Sequence, residues 1–285
     1  MAPEQPGDSS TAAAALSAEQ QGAGPGTDLD AQIAQGMVDY QNQLLNIDEI
    51  RVINGSQVFV AKINNLQQQY GSMRRTRGDG NCFFRSFIYG YLEWLLVHQQ
   101  EQECQRFTKC LQAWKQKLQD IGYDSIVFED PLDMLLQQVQ AILIGPGVDG
   151  GINEQQLLAN FRDDTWSNTC VMLLRFITSA EIKRRLDHFE PFVVGQYEMD
   201  VATFCERSVD VMGEESDHIH AQALTDAVQV PVRIIQIDSS GGQSAEASVV
   251  DMKPEGLSAE EQAALGPAKV HMLYRPGHYD IVYPI

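Results

Sequence analysis

The sequence predicts an α+β fold in which helices come first and a small sheet comes last. Three observations carry this expectation. Apolar residues recur at three- and four-residue steps through most segments between residues 29 and 228, the period of amphipathic and buried helices. β-Branched and aromatic runs are confined to residues 230–283. Gly and Pro punctuate the boundaries, as at Gly122, Gly145-Pro146 and Pro276-Gly277.

Taken in order, residues 1–26 consist mostly of Ala, Gly, Pro, Ser, Gln and acidic side chains. They offer too little bulky apolar surface to offset the entropy of ordering, so a disordered tail is expected. Thr27 and Asp30 have the spacing of a capping box, and Leu29, Ile33, Met37, Tyr40 and Leu44 then fall on one stripe, which predicts an amphipathic helix over 29–46. A second helix from Ser56 carries Phe59, Ile63, Leu66 and Tyr70 on one face, completing a helical arm over about 29–70. The stretch Met73-Arg74-Arg75-Thr76-Arg77 follows, and Gly78-Asp79-Gly80-Asn81 interrupts the pattern. From Cys82 onward, Phe84, Phe87, Ile88, Tyr91 and Leu95 predict a largely buried helix with the cysteine at its N-terminus.

Further helices are expected near 101–121, with Phe107, Leu111, Trp114, Leu118 and Ile121 on one face, and near 131–144, 154–161, 165–187, 200–212 and 218–228. Strands are expected over 230–237, 270–274 and 278–283, the last two joined by Arg275-Pro276-Gly277 as a hairpin. Residues 238–268 mix Gly, Ser, Glu and Ala and read as a long surface loop with one helical turn near 257–261. No break after residue 50 divides the remainder, so residues 27–285 are taken as one domain.

Composition narrows the function classes. At 285 residues with 44% hydrophobic and 21% charged side chains, a substantial core is available. The 39 acidic against 20 basic residues give a net charge of -19, which repels phosphate backbones and anionic lipid, so neither nucleic acid nor a membrane is an expected partner. The same charge suits a basic protein or an arginine-bearing tail, although solubility alone would account for it. Five cysteines without any C-x-x-C pair indicate neither a disulfide framework nor a zinc site and fit a reducing compartment. No stretch approaches the ~18 apolar residues of a membrane span. A cytoplasmic or nuclear monomer is expected.

The chemistry starts at Cys82. A thiol with an ordinary pKa of about 8.5 is a weak nucleophile at neutral pH and needs stabilisation of its thiolate. A helix N-terminus supplies it, through unpaired N–H groups and roughly half a positive charge. Gly80 lets the backbone approach a carbonyl, where the amides of Gly80, Asn81 and Cys82 could hold an oxyanion. The same tetrapeptide would equally precede a core helix with a packed, inert cysteine. His278 and Asp280 tip the balance, because residues two apart in a strand project from one face, and a carboxylate beside an imidazole fixes its tautomer and raises its pKa. His218 and His220 begin a helix and face different ways, which argues against a metal site; Ser216 or Asp217 is the expected cap. His98, His188 and His271 have no partner at useful spacing and read as surface or packing residues.

The combination Asp79-Gly80-Asn81-Cys82-Phe83-Phe84-Arg85 with Tyr274-Arg275-Pro276-Gly277-His278-Tyr279-Asp280-Ile281 resembles the otubain branch of the ovarian-tumour family of deubiquitinases. Glu215-Ser216-Asp217-His218-Ile219-His220 and the helix leading into Thr76-Arg77-Gly78 extend the likeness from about residue 29 to the end. The resemblance implies a papain-like fold, with many helices packed around a small, mainly antiparallel C-terminal sheet. It implies a cofactor-free cysteine isopeptidase that hydrolyses the bond between the C-terminal glycine of ubiquitin and a lysine, and one type in the branch favours polyubiquitin chains joined through lysine forty-eight. Carried over, Cys82 is the nucleophile, His278 the base that later protonates the leaving amine, and Asp280 the orienting acid. Asp79 is an active-site residue beside the oxyanion hole, and His218 and Tyr279 are ubiquitin contacts. Some relatives carry Asn where this chain has Asp280. One type in the branch also restrains ubiquitin-conjugating enzymes without catalysis through an N-terminal helix, and the helix at 29–46 is similar in position. A binding module for ubiquitin or a conjugating enzyme is therefore the alternative class. A general cysteine protease is a third reading, against which the resemblance argues.

Overall fold

The computed structural model describes the backbone of residues 44–46 and 57–60 and the whole of residues 61–238 and 246–285. All belong to one compact unit, residues 37–285. The strands are β1 (Leu44–Asn46), β2 (Tyr70–Arg74), β3 (Val232–Gln236), β4 (Ser248–Met252), β5 (Val270–Arg275) and β6 (His278–Pro284). They form one sheet in the order β1-β2-β6-β5-β3-β4. Only the β3–β5 pairing is parallel, so the sheet is mainly antiparallel, as expected.

The described helices are α1 (Gln57–Leu66), α2 (Cys82–His98), α3 (Glu101–Ile121), α4 (Ser125–Ile144), α5 (Glu154–Arg162), α6 (Asp164–Arg184), α7 (Leu186–Tyr197), α8 (Val201–Phe204), α9 (His218–Val228) and α10 (Ala259–Leu265). A π-helical turn, Cys205–Val209, continues from α8. The centre of the molecule is α2, buried from Cys82 through Glu93 and again at Leu95 and Leu96. A helix apolar on all faces must be covered on all faces. Here β5 and β6 pack against it together with α4, α5 and α6. A second apolar cluster, Ile63, Leu66, Tyr70, Met73, Ile235, Ile237, Leu273 and Val282, joins α1 to the sheet.

Several boundaries differ from the sequence reading. The tail over 1–26 and most of the helix expected over 29–46 lie outside the described residues, but Leu44–Asn46 is a strand, paired antiparallel with β2 from Leu44↔Arg74 to Asn46↔Ser72. Tyr70 does not extend α1; it begins β2 and bonds the His271 ring through its hydroxyl, Tyr70 Oη to His271 Nδ1 at 2.9 Å. Sheet pairing overrides local periodicity in both places. The loop expected over 238–268 contains β4, paired along β3, and α10, capped by Ser258. The helix near 131 begins a turn and a half earlier, at the Asp124 cap, with Pro131 inside it. Arg185 interrupts the helix expected over 165–187, and α7 follows.

Candidate active site

The nucleophile side is built from the turn between β2 and α2. Gly80 has φ +73, and a Cβ there would lie 1.8 Å from the carbonyl oxygen of Gly213, so only glycine fits. Asn81 holds the N-cap position of α2, yet its side chain makes no capping bond. Its Oδ1 accepts instead from Arg175 Nη2 at 2.9 Å and Nε at 3.2 Å, and from the Gly213 amide at 3.0 Å. Asp79 Oδ1 accepts from the Asn81 amide at 3.0 Å, and Asp79 Oδ2 pairs with Arg85 Nη2 at 2.6 Å. Arg85 donates onward to Ser167 and Asn168 on α6. The Cys82 side chain, 3% exposed, thus starts a helix whose entry turn is tied down on both flanks.

The other side is the β5–β6 hairpin, closed by Pro276-Gly277 with Arg275↔His278 as its last pair. His278 and Asp280 share one strand face, and His278 Nε2 lies 2.9 Å from Asp280 Oδ1. Asp280 is fully buried. Its Oδ1 also accepts from the Thr76 amide at 2.9 Å, and its Oδ2 pairs with Arg275. With Nε2 engaged by the carboxylate, Nδ1 is the ring nitrogen left to face Cys82, which is near enough to help raise the His278 pKa.

The electrostatics follow from this packing. Burial works against a charged His278, but the hydrogen bonds to Asp280 and Cys82 and their negative charge outweigh it and push the imidazole up to about 9. Burial likewise opposes a charged Asp280, yet His278, Arg275 and the Thr76 amide hold its carboxyl below the usual carboxylate range.

The expected residues are therefore gathered with two corrections. The Asn81 amide is committed to Asp79, so among the three amides expected to face an oxyanion those of Gly80 and Cys82 remain. Tyr279 is 5% exposed, its ring against Phe83 at 5.3 Å and Tyr274 at 4.8 Å, so it packs the site from beneath and presents no contact surface to a protein. His218 is exposed at the first position of α9, while His220 is buried in the capping box with Asp217. His188 does find partners: it lies beside Glu255, 3.3 Å away, and Asp226, but Arg185 already pairs with both carboxylates and supplies the positive charge there. Sequence reasoning missed Arg85 and Arg175. The signal for Arg175 was present, since a lone cation inside Val171-Met172-Leu173-Leu174-Arg175-Phe176-Ile177 must be buried and paired.

The chain is similar to a group of known proteins. The family model described as Peptidase C65 Otubain matches residues 41–284. The ovarian tumor domain-containing deubiquitinating enzyme 1 of Arabidopsis thaliana is 42% identical over 233 residues, 81% of this chain and 76% of that protein. Ubiquitin thioesterase OTUB1 of Homo sapiens is 34% identical over 226 residues, 79% of this chain and 75% of that protein. A solved complex of ceOTUB1 with ubiquitin aldehyde and UBC13~Ub matches with a TM-score of 0.75 at 25% identity, covering 90% of this chain and 98% of that one. The helix-rich, papain-like α+β fold implied by the resemblance is the fold observed. With the family model spanning both the cysteine turn and the histidine hairpin, the chain belongs to the otubain family of C65 peptidases.

Proposed function

We propose that this chain is a deubiquitinase that hydrolyses the isopeptide bond between the C-terminal glycine of ubiquitin and a lysine, using Cys82, His278 and Asp280. The observation that carries the reading is that His278, bonded to the buried Asp280 on β6, interacts with Cys82 at the N-terminus of α2. The Cys82 thiolate attacks the glycine carbonyl, and the amides of Cys82 and Gly80 hold the oxyanion. His278, charged and oriented by Asp280, passes its Nδ1 proton to the departing lysine amine, leaving a thioester. His278, now neutral, then takes a proton from water as its oxygen attacks the thioester, and the ubiquitin carboxylate leaves with Cys82 restored. Asp79 holds the entry turn through the Asn81 amide and Arg85. His218, exposed on the segment next to the hairpin, contacts the bound ubiquitin. A preference for polyubiquitin joined through lysine forty-eight rests on the family resemblance alone.

The test is cleavage of a panel of ubiquitin dimers covering every linkage by wild type, Cys82→Ala and His278→Ala. Cleavage by wild type that both variants lose to background, with unchanged melting temperatures, supports the hydrolase; unchanged turnover in Cys82→Ala rejects it. Which dimer disappears first reports the linkage preference.

A second reading has its own support. Related solved structures hold OTUB1 together with ubiquitin aldehyde and UBC13~Ub or UBCH5B~Ub. Binding of a ubiquitin-charged conjugating enzyme is the corresponding activity here. Removing residues 1–40 tests it while leaving β1 in place; conjugation that the truncated and full chains inhibit equally would reject a role for the N-terminal segment.

A further inference from the structure

Arg175 lies in the middle of α6 and is fully buried, with Leu173, Leu174 and Ile177 buried around it. Placing a guanidinium there is costly unless its donors are satisfied. They are, and among the described residues every acceptor is a neutral oxygen. Nη1 donates to the Val209 carbonyl at 3.1 Å; Nη2 donates to the carbonyls of Gly80 at 3.1 Å and Glu214 at 2.7 Å and to Asn81 Oδ1; Nε donates to the same Asn81 oxygen. The guanidinium carbon sits 4.7 Å from the Phe84 ring centre. Two separate pieces of chain, the turn before Cys82 and the segment 209–214, thus meet on one planar fork.

The consequence falls on a single peptide plane. The carbonyl of Gly80 is held by Arg175, and the amide of Asn81, in the same plane, is held by Asp79. Glycine at φ +73 can turn that plane over at little steric cost, so the two bonds, and not the backbone's own preference, keep it in place. The plane sets the direction of the next amide, that of Cys82. Arg175 also draws the Asn81 side chain away from the position where asparagine ordinarily caps a helix, which keeps the first-turn amides of α2 free of that cap.

We infer that Arg175 is a positioning residue that locks the Gly80–Asn81 peptide to the 209–214 segment and so aims the Cys82 amide at the reacting carbonyl. The inference rests on the hydrolase reading above. It concerns the fork and not the charge, although burial lowers the Arg175 pKa to about 10 against the opposing influence of Glu214, Asp79 and Cys82. Lysine separates the two, since it keeps a cation on a flexible stem but has no planar fork.

The experiment compares wild type, Arg175→Lys and Asn81→Ala in two assays: hydrolysis of a fluorogenic amide of the ubiquitin C-terminus, and alkylation of Cys82 by iodoacetamide, followed on the Cys82 peptide by mass spectrometry. Alkylation displaces iodide at a saturated carbon, builds no oxyanion and reports only the Cys82–His278 pair. The expected result is a fall in kcat of roughly 100-fold in both variants, as for loss of an oxyanion donor, with KM and the alkylation rate each within about 3-fold of wild type. Wild-type turnover in Arg175→Lys would overturn the inference, because a charge without the fork would then suffice. Alkylation slowed as much as hydrolysis would overturn it too, because Arg175 would be acting on the thiolate. If Arg175→Lys does not fold, undiminished turnover in Asn81→Ala decides against it. No turnover by the wild type rejects the hydrolase reading and this inference with it, whereas wild-type turnover that the variants share rejects this inference alone.

Discussion

The two halves of the site are secured by different means. On the nucleophile half the restraints span the chain: Arg175 reaches Asn81 across 94 residues and Gly80 across 95, and Arg85, paired with Asp79, reaches Asn168 across 83. On the base half most of them lie within five residues, since His278, Asp280 and Arg275 sit on one hairpin; among the described residues the Thr76 amide and the Ser86 hydroxyl bond to it from elsewhere. A half held by local bonds carries its geometry wherever its hairpin pairs. A half held by distant bonds has its geometry only when the helices and the 209–214 segment are packed. Disturbances from afar should therefore reach the cysteine more readily than the histidine.

Gly80→Ala strikes the nucleophile half hardest. Its new Cβ would meet Gly213 backbone atoms at 1.8 and 2.3 Å, and φ +73 adds left-handed strain. A stability loss of about 3 kcal/mol is expected, which lowers Tm by about 6–12 °C in a chain of this size, and hydrolysis of a ubiquitin amide should drop by about 1,000-fold. Calorimetry and steady-state kinetics below the variant's Tm check both. Activity within tenfold of wild type would mean that the turn is not held as tightly as its contacts indicate.

Asp280→Asn probes the base half at its centre. Asparagine keeps an acceptor for the His278 ring but removes the negative charge that helps lift the imidazole to about 9. The alkaline limb of the kcat profile should move from about 9 in wild type toward the ordinary imidazole value of about 6.5, with kcat near neutrality down roughly 10- to 100-fold. The sign for stability follows from the raised pKa. Stabilisation from charged His278 is fully present below its unfolded value of about 6.5 and is lost as pH climbs through about 9. The Tm gap between wild type and variant should then be wider at about pH 6 than at about pH 10. A gap that does not change with pH would assign the role of Asp280 to its bonds with Arg275 and Thr76.

This contrast also explains what could be read from the sequence. His278 and Asp280 are legible because their relation is a period of two along one strand, and Cys82 because a helical period starts where a glycine-rich turn stops. The pairings of Asp79 with Arg85 and of Arg175 with Asn81 are set by tertiary packing, to which no local period points. The same holds for β1, β2 and β4, which have three to five residues and owe their conformation to the strands beside them. The family resemblance implies Tyr279 as a ubiquitin contact, yet period two turns it toward Phe83. Asn81 looked like an amide donor because it adjoins the cysteine, and Asp79 takes that amide.

Gly277→Ala gives the mildest effect and the closest control for Gly80→Ala. Gly277 too has a positive φ, +77, so its alanine bears similar left-handed strain. Its nearest obstacle, however, is a side-chain oxygen, Glu215 Oε1 at 3.0 Å, on an exposed residue that can swing aside. The cost should be about 1 kcal/mol, a Tm lower by about 2–4 °C, with hydrolysis within about 3-fold of wild type. Because the two substitutions share chemistry and backbone region, the difference between them measures how much of the Gly80 effect comes from the backbone of the 209–214 segment. Equal damage from both would show that Glu215 is not free to move, and that the segment before α9 braces the histidine hairpin as firmly as it braces the cysteine turn.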